Sequence, residues 1–182
     1  MKNVLIVLAN GFEEVEALTA IDLLRRAGVN VTIAGLDRDF VTGAHDIAVK
    51  CDSYYQDVEE NKYDCLVLPG GQPGTNNLKT NSSVISWVQS FAQSHRTIAA
   101  ICAAPTILQE AGILKGKKVT SFPSEKQKFT ESIFSEEAVV QDGNIITSRG
   151  VGTAIQFALK IVEKLKGKES ATGLANRILW NQ

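Results

Sequence analysis

A cysteine ends the apolar run Ile98-Ala-Ala-Ile-Cys102, and Ala103, Ala104 and Pro105 follow it. Such a run reads as a buried strand, and proline suits the first turn of a helix, where its missing N–H is not needed. A cysteine at that corner has its sulfur pushed out of the sheet edge, beside the unpaired N–H groups of a helix start. Those donors and the helix dipole favour the thiolate, which is the reactive species. Cys102 is therefore the candidate nucleophile. Glu16 is its candidate partner: its neighbours four and seven residues on are Ala20 and Leu23, so its carboxyl borders the buried stripe of a helix. A carboxyl in apolar surroundings has a raised pKa, can donate a hydrogen bond while protonated, and can move a proton. Gly70-Gly71, after another apolar run, can bring backbone N–H groups close to an anion. One N–H from this turn and one from Ala103 would form an oxyanion hole, so Gly70, Gly71 and Ala103 are the candidate substrate-binding positions.

The elements that must position these groups alternate along the chain. Val4 to Ala9 reads as a strand, Glu13 to Ala27 as a helix stopped by Gly28, and Asn30 to Gly35 as a second strand. Residues 36–60 are less periodic and suit a short hairpin plus a connection. Cys65 to Pro69 is a third buried strand. Ser82 to Ser94 is a helix capped by Ser82 or Ser83, with Ile85, Val88 and Phe91 inward. Thr97 to Ile101 is the fourth core strand, and a helix runs from Ala104 to about Ala111. Val119 to Phe122, Ala138 to Gln141 and Ile145 to Ser148 read as further strands, the last two joined at Asp142-Gly143. Gly150-Val-Gly-Thr153 opens a helix to Lys166, capped by Gly167. Alternation with near-continuous apolar strands predicts an α/β fold with a doubly wound, mainly parallel sheet, whose ligands bind beyond the C-terminal strand ends. Asn10 to Glu14, Gly70-Gly71 and Cys102 all fall at that edge.

With 182 residues, the chain is expected to form one domain spanning 1–182. A net charge of −1 and the absence of a basic stripe argue against nucleic acid as a partner. The first apolar run is too short for a membrane span or a signal peptide. Cys51, Cys65 and Cys102 suit neither a disulfide set nor a metal-ligand spacing, which favours a reducing cytoplasm. Cys65 reads as a small hydrophobe within a strand, and Cys51 as equally bland. Glu13 and Glu14 fit exposed groups at a helix start. His95 reads as a surface residue. His45, in the predicted hairpin, is placed to reach either the crevice or a partner subunit. Gly150-Val-Gly152 with Thr153 reads as turn and capping chemistry, since it lacks the spacing of a dinucleotide loop.

Leu8-Ala-Asn-Gly-Phe-Glu-Glu-Val-Glu16, Leu68-Pro-Gly-Gly71, Ala99-Ala-Ile-Cys-Ala-Ala-Pro105 and Thr147-Ser-Arg-Gly-Val-Gly-Thr153 occur in this order. In these four motifs the chain resembles, over essentially its whole length, the ThiJ/PfpI superfamily in its Parkinsonism-linked deglycase (DJ-one-like) branch. The resemblance implies a flavodoxin-like sandwich (class I glutamine-amidotransferase-like), usually a homodimer. It implies a nucleophile-elbow cysteine at Cys102, hydrogen-bonded to a protonated glutamate at Glu16, and a backbone anion site at Gly71 and Ala103. Members of the branch are described as acting without glutathione on methylglyoxal, glyoxal or early glycation adducts of proteins and nucleotides. They are also described as redox sensors and chaperones. Neither cofactor nor metal is expected. The protease-like branch has a histidine directly after the nucleophile, where Ala103 stands here, which argues against peptidase activity. Phe122 replaces a family histidine and His45 a family arginine. These departures speak against an imidazole relay and against the family's second-subunit anion contact. The expectation is a cysteine-dependent glyoxalase or deglycase, with a sensor regulated by Cys102 oxidation as the alternative.

Overall fold

The chain begins with β1 (Asn3–Leu8), in which every residue from Val4 to Leu8 is fully buried. Burial on both faces follows from its place in the interior of a seven-stranded sheet in this computed structural model, which describes residues 1–180. Side chains of a strand alternate between faces. Val4, Ile6 and Leu8 accordingly enter one core, and Leu5, Val7 and Ala9 enter the other.

The first core is closed by α1 (Glu14–Arg26), α5 (Ala154–Lys166) and α6 (Lys168–Arg177). The second is closed by α2 (Gly74–Thr80), α3 (Ser82–Gln93) and α4 (Pro105–Glu110). From β1 the chain moves outward to β2 (Asn30–Gly35), through the antiparallel hairpin β3 (Phe40–Thr42) and β4 (Ala48–Lys50), to the edge strand β5 (Ser53–Tyr54). It then returns to the other side of β1 as β6 (Cys65–Leu68), followed by β7 (Thr97–Ile101). After β8 (Lys118–Val119) and β9 (Ile133–Phe134), which pair apart from the main sheet, come β10 (Val139–Asp142) and β11 (Ile145–Ser148). The order is β10-β11-β7-β6-β1-β2-β5, and only the β10–β11 hairpin pairs antiparallel within it. The winding direction reverses between β1 and β6, and a crevice opens there at their C-terminal ends.

The doubly wound sheet agrees with the expectation from alternation, with four differences. The cap of α3 is Asn81, whose Oδ1 accepts from Ser83 N and Val84 N, rather than Ser82 or Ser83. The expected strand from Val119 to Phe122 stops at Val119. Beyond it, Thr120 N donates to the Thr147 side chain of β11 and Phe122 N to the Cys102 carbonyl after β7, so neither donor joins a ladder. Helix α2 carries one apolar anchor, Leu78, and α6 buries only Ala171 and Leu174. Neither displays the stripe by which a helix is read from sequence.

Candidate active site

Cys102 follows the last residue of β7 with φ +64, a left-handed conformation that costs a non-glycine residue about 1–2 kcal/mol. Three hydrogen bonds hold it there. Its N–H donates to Ser148 O at 3.0 Å, and its carbonyl accepts from Phe122 N at 2.8 Å and from Ser121 Oγ at 2.6 Å. The conformation lifts the side chain out of the strand line before Pro105 starts α4, and Sγ meets the N–H groups of Ala103 and Gly71.

Glu16, on the first turn of α1, is 1% exposed. Its Oε2 accepts from Gly70 N at 2.8 Å, while Oε1 is buried without a hydrogen-bond partner. That free oxygen and the Cys102 thiol are neighbours, and each lies 3.9 Å from the point where a Gly150 Cβ would sit. The Gly70 N–H is thus committed to the carboxyl, and Gly71 is the member of the pair whose N–H faces the sulfur. A side chain is excluded at both glycines. A Cβ on Gly70 would come 2.5 Å from Cys102 Cβ, and one on Gly71, at φ +90, would come 2.3 Å from Glu13 N.

Burial pushes the Cys102 thiol up to about 12; the Glu16 carboxylate adds to the rise, and the Ala103 and Gly71 N–H groups oppose it. Burial also lifts Glu16 to about 7, against the hydrogen bond from Gly70 N and the neighbouring Cys102 thiol. The helix-start donors favour the thiolate as expected, but burial and the Glu16 carboxylate outweigh them. A protonated Glu16 removes the carboxylate charge that adds to the rise at sulfur, although burial remains its largest cause. Once the pair has lost its first proton it shares one negative charge, and it titrates as a unit.

Cys102, Glu16, Gly71 and Ala103 open into a cleft of about 760 Å³. Phe122 and the turn Gly150–Thr153 form another part of its wall. Thr153 Oγ1 hydrogen-bonds Gly150 N, Gly150 O and Ser148 Oγ, so the turn does the capping expected of it and also lines the cleft. The resemblance puts Phe122 near the nucleophile, whereas periodicity alone places it in a further strand. Pro123, which interrupts such a strand, was the available signal.

Glu14 departs from expectation. It is buried, with Oε1 accepting from His45 N at 2.6 Å and Oε2 lying 2.9 Å from His45 Nδ1. The β3–β4 hairpin folds over the start of α1, with Gly11 N donating to Thr42 O and Ala44 N to Phe12 O, and this covers Glu14. His45 spends its contacts on that latch, with Glu13 Oε1 a further 3.8 Å neighbour, and it is not among the residues lining the Cys102 cleft. Cys65 is buried within β6, and Cys51 is buried beside Gly35, its thiol pushed up to about 11 by burial. Among the described residues, Glu13, Glu14 and His45 are the one group of potential metal ligands, and the Glu14–His45 hydrogen bond already satisfies the two most tightly placed of them. No helix among them is long and apolar enough to cross a membrane.

Residues 2–164 match the sequence profile described as the DJ-1/PfpI family. The chain is 44% identical over 181 residues to Protein dj-1beta of Drosophila melanogaster, an alignment covering 98% of this chain and 97% of that protein. It is 36% identical over 164 residues to the glutathione-independent glyoxalase DJR-1.2 of Caenorhabditis elegans, covering 89% and 87% of the two. The crystal structure of Drosophila melanogaster DJ-1beta superposes with a TM-score of 0.96 at 43% identity, over 100% of this chain and 99% of that one.

Proposed function

The chain belongs to the DJ-1/PfpI family, with its flavodoxin-like fold, and on that footing we propose that it is a glutathione-independent glyoxalase or deglycase using Cys102. Its substrates are then methylglyoxal, glyoxal or early glycation adducts of proteins and nucleotides. The observation that carries the reading is the unpartnered Glu16 Oε1, buried beside a thiol that two backbone N–H groups already face. The relative named as a glutathione-independent glyoxalase supports the reaction class.

In this mechanism the Cys102 thiolate adds to the aldehyde carbon of a 2-oxoaldehyde. The N–H groups of Gly71 and Ala103 hold the developing oxyanion, and Glu16 protonates it to give a hemithioacetal. The Glu16 carboxylate then takes the proton from that carbon, leaving an enediolate, and returns it to the neighbouring carbon as the hydroxyl proton passes to the other oxygen. The product is the thioester of a 2-hydroxyacid. Water cleaves it, releasing the acid and the Cys102 thiol. No external oxidant or reductant is needed, because one carbon is oxidised as its neighbour is reduced. A single carboxyl with a pKa near 7 suits both halves of the proton transfer.

The test is lactate formation from methylglyoxal without glutathione, for wild type, Cys102→Ser and Glu16→Gln. The expected result is turnover by wild type alone, with Cys102 still alkylatable in Glu16→Gln. Absence of lactate from reduced wild type would favour a redox sensor, and selective addition of two oxygens at Cys102 under mild peroxide would then identify it.

The same footing supports a homodimer. Val15 and Leu18 lie three residues apart on α1, and with Phe40 and Ile47 on the hairpin they leave apolar side chains exposed beside each other's elements. Light scattering would show a mass of two chains, and a monomer at working concentration would end this proposal. Three free thiols are consistent with a cytoplasmic setting, testable by fractionation.

A further inference from the structure

Phe122 and Val151 are large apolar side chains left 46% exposed each, and both line the Cys102 cleft. Isolated exposed hydrophobes need no explanation, but two on the wall of one reactive crevice form an apolar surface where a ligand can be held. Phe122 is also fixed in place. Its N–H and the Ser121 hydroxyl both bind the Cys102 carbonyl, so the ring is tied to the backbone of the nucleophile itself. Its Cδ2 lies 3.5 Å from the point where a Gly150 Cβ would sit, the same point that lies 3.9 Å from Cys102 Sγ and Glu16 Oε1. The ring edge therefore borders the space in which any Cys102 adduct must sit.

Size and charge narrow the ligand. The three-carbon methylglyoxal fills a small part of a cleft of about 760 Å³. Besides Glu16, three carboxylates reach the cleft lining, from Glu13, Glu125 and Glu136, against the one guanidinium of Arg149. Arg149 Nη1 is already bound to Glu136 O, while Lys128 pairs with Glu125 and Lys126 with Glu136. Nothing in this balance favours a phosphorylated or carboxylated substrate.

Resting on the oxoaldehyde reading above, we propose that Phe122, with Val151, is a specificity-determining wall that selects 2-oxoaldehydes carrying an aromatic or bulky apolar group. The aldehyde carbon meets Cys102, and the substituent packs on the Phe122 ring in an offset or edge-on contact.

The experiment compares initial rates for phenylglyoxal and methylglyoxal, read as mandelate and lactate, for wild type, Phe122→Ala and Phe122→Tyr. Wild type should favour phenylglyoxal in kcat/KM by about tenfold or more, the scale at which an apolar pocket discriminates. The preference should collapse toward parity in Phe122→Ala, chiefly through KM for phenylglyoxal. It should survive in Phe122→Tyr, which keeps the ring. Wild-type turnover of methylglyoxal with no preference for phenylglyoxal, or a preference unchanged in Phe122→Ala, would overturn the role of Phe122 and leave the glyoxalase reading standing. Turnover of neither aldehyde would overturn that reading and this proposal with it.

Discussion

Glu16→Gln should make the protein inactive and, above neutral pH, more stable. Glutamine keeps an oxygen for the Gly70 N–H, so the substitution removes the ionisable proton while retaining the 2.8 Å hydrogen bond. In wild type, burial raises the carboxyl from 4.5 to about 7. A carboxyl raised on folding contributes stability that is complete below its unfolded value and is lost as pH rises through its folded value. Across that whole window the loss is about 3 kcal/mol, since each pKa unit is worth about 1.4 kcal/mol. Between pH 5 and pH 8.5 the stability of Glu16→Gln relative to wild type should therefore grow by about 2.5 kcal/mol. Urea unfolding of both proteins at the two pH values measures this directly, and taking the difference cancels every other titrating group. In thermal melts each kcal/mol corresponds to about 2–4 °C for a chain of this size. Identical pH dependence in the two proteins would refute the claim that Glu16 pays a desolvation cost in the fold, and with it the basis for a proton held at neutral pH.

The remaining predictions concern the backbone and the hairpin. Gly70→Ala would place a Cβ 2.5 Å from Cys102 Cβ and 2.7 Å from Glu16 Oε2, so it should abolish turnover and cost about 1–3 kcal/mol by overpacking; retained turnover in a folded variant would show that the elbow can yield. His45→Ala should expose the Glu14 carboxyl and speed hydrogen exchange at the Gly11 and Ala44 amides, whereas unchanged exchange would mean the backbone contacts alone hold the hairpin. His45 is raised from 6.5, chiefly by its hydrogen bond to Glu14, so the side-chain part of the latch should be complete below pH 6.5 and fade as pH rises through the folded value.

What could be read along the chain was local. Val4 to Leu8 and Thr97 to Ile101 announce buried strands because both their faces are apolar, and Glu16 announces its burial because Ala20 and Leu23 share its side of α1. Glu14 could not be read in this way. Two residues from Glu16, it would face solvent on an isolated helix, and it is covered because a hairpin some thirty residues later folds over it. Periodicity alone does not place Phe122, for a similar reason: its backbone donor is taken by Cys102, a partner that no period along residues 119–122 reveals, and only the family motifs set it near the nucleophile. Helix α2 lacked a signal because Gly74-Thr-Asn-Asn has neither an apolar stripe nor good helix propensity.

The charge state of the site is the most distant from sequence pattern, because it belongs to a pair. Read alone, Cys102 at a helix start should be a thiolate, and Glu16 on a buried stripe should be neutral. Brought together, each carboxylate–thiolate combination with two charges is penalised, and the fold favours the forms with one. In the proposed mechanism, Cys102 supplies the nucleophile and Glu16 the proton donor. The same donor becomes a base as soon as it has protonated the adduct, which is the order of events that isomerising a 2-oxoaldehyde requires. The backbone clamps around Cys102 keep that pair in register without using side chains that face the cleft. Phe122 and Val151 are thereby free to differ in chemistry from the reacting groups, and substrate choice can change at the wall while the proton pair beneath it is left intact.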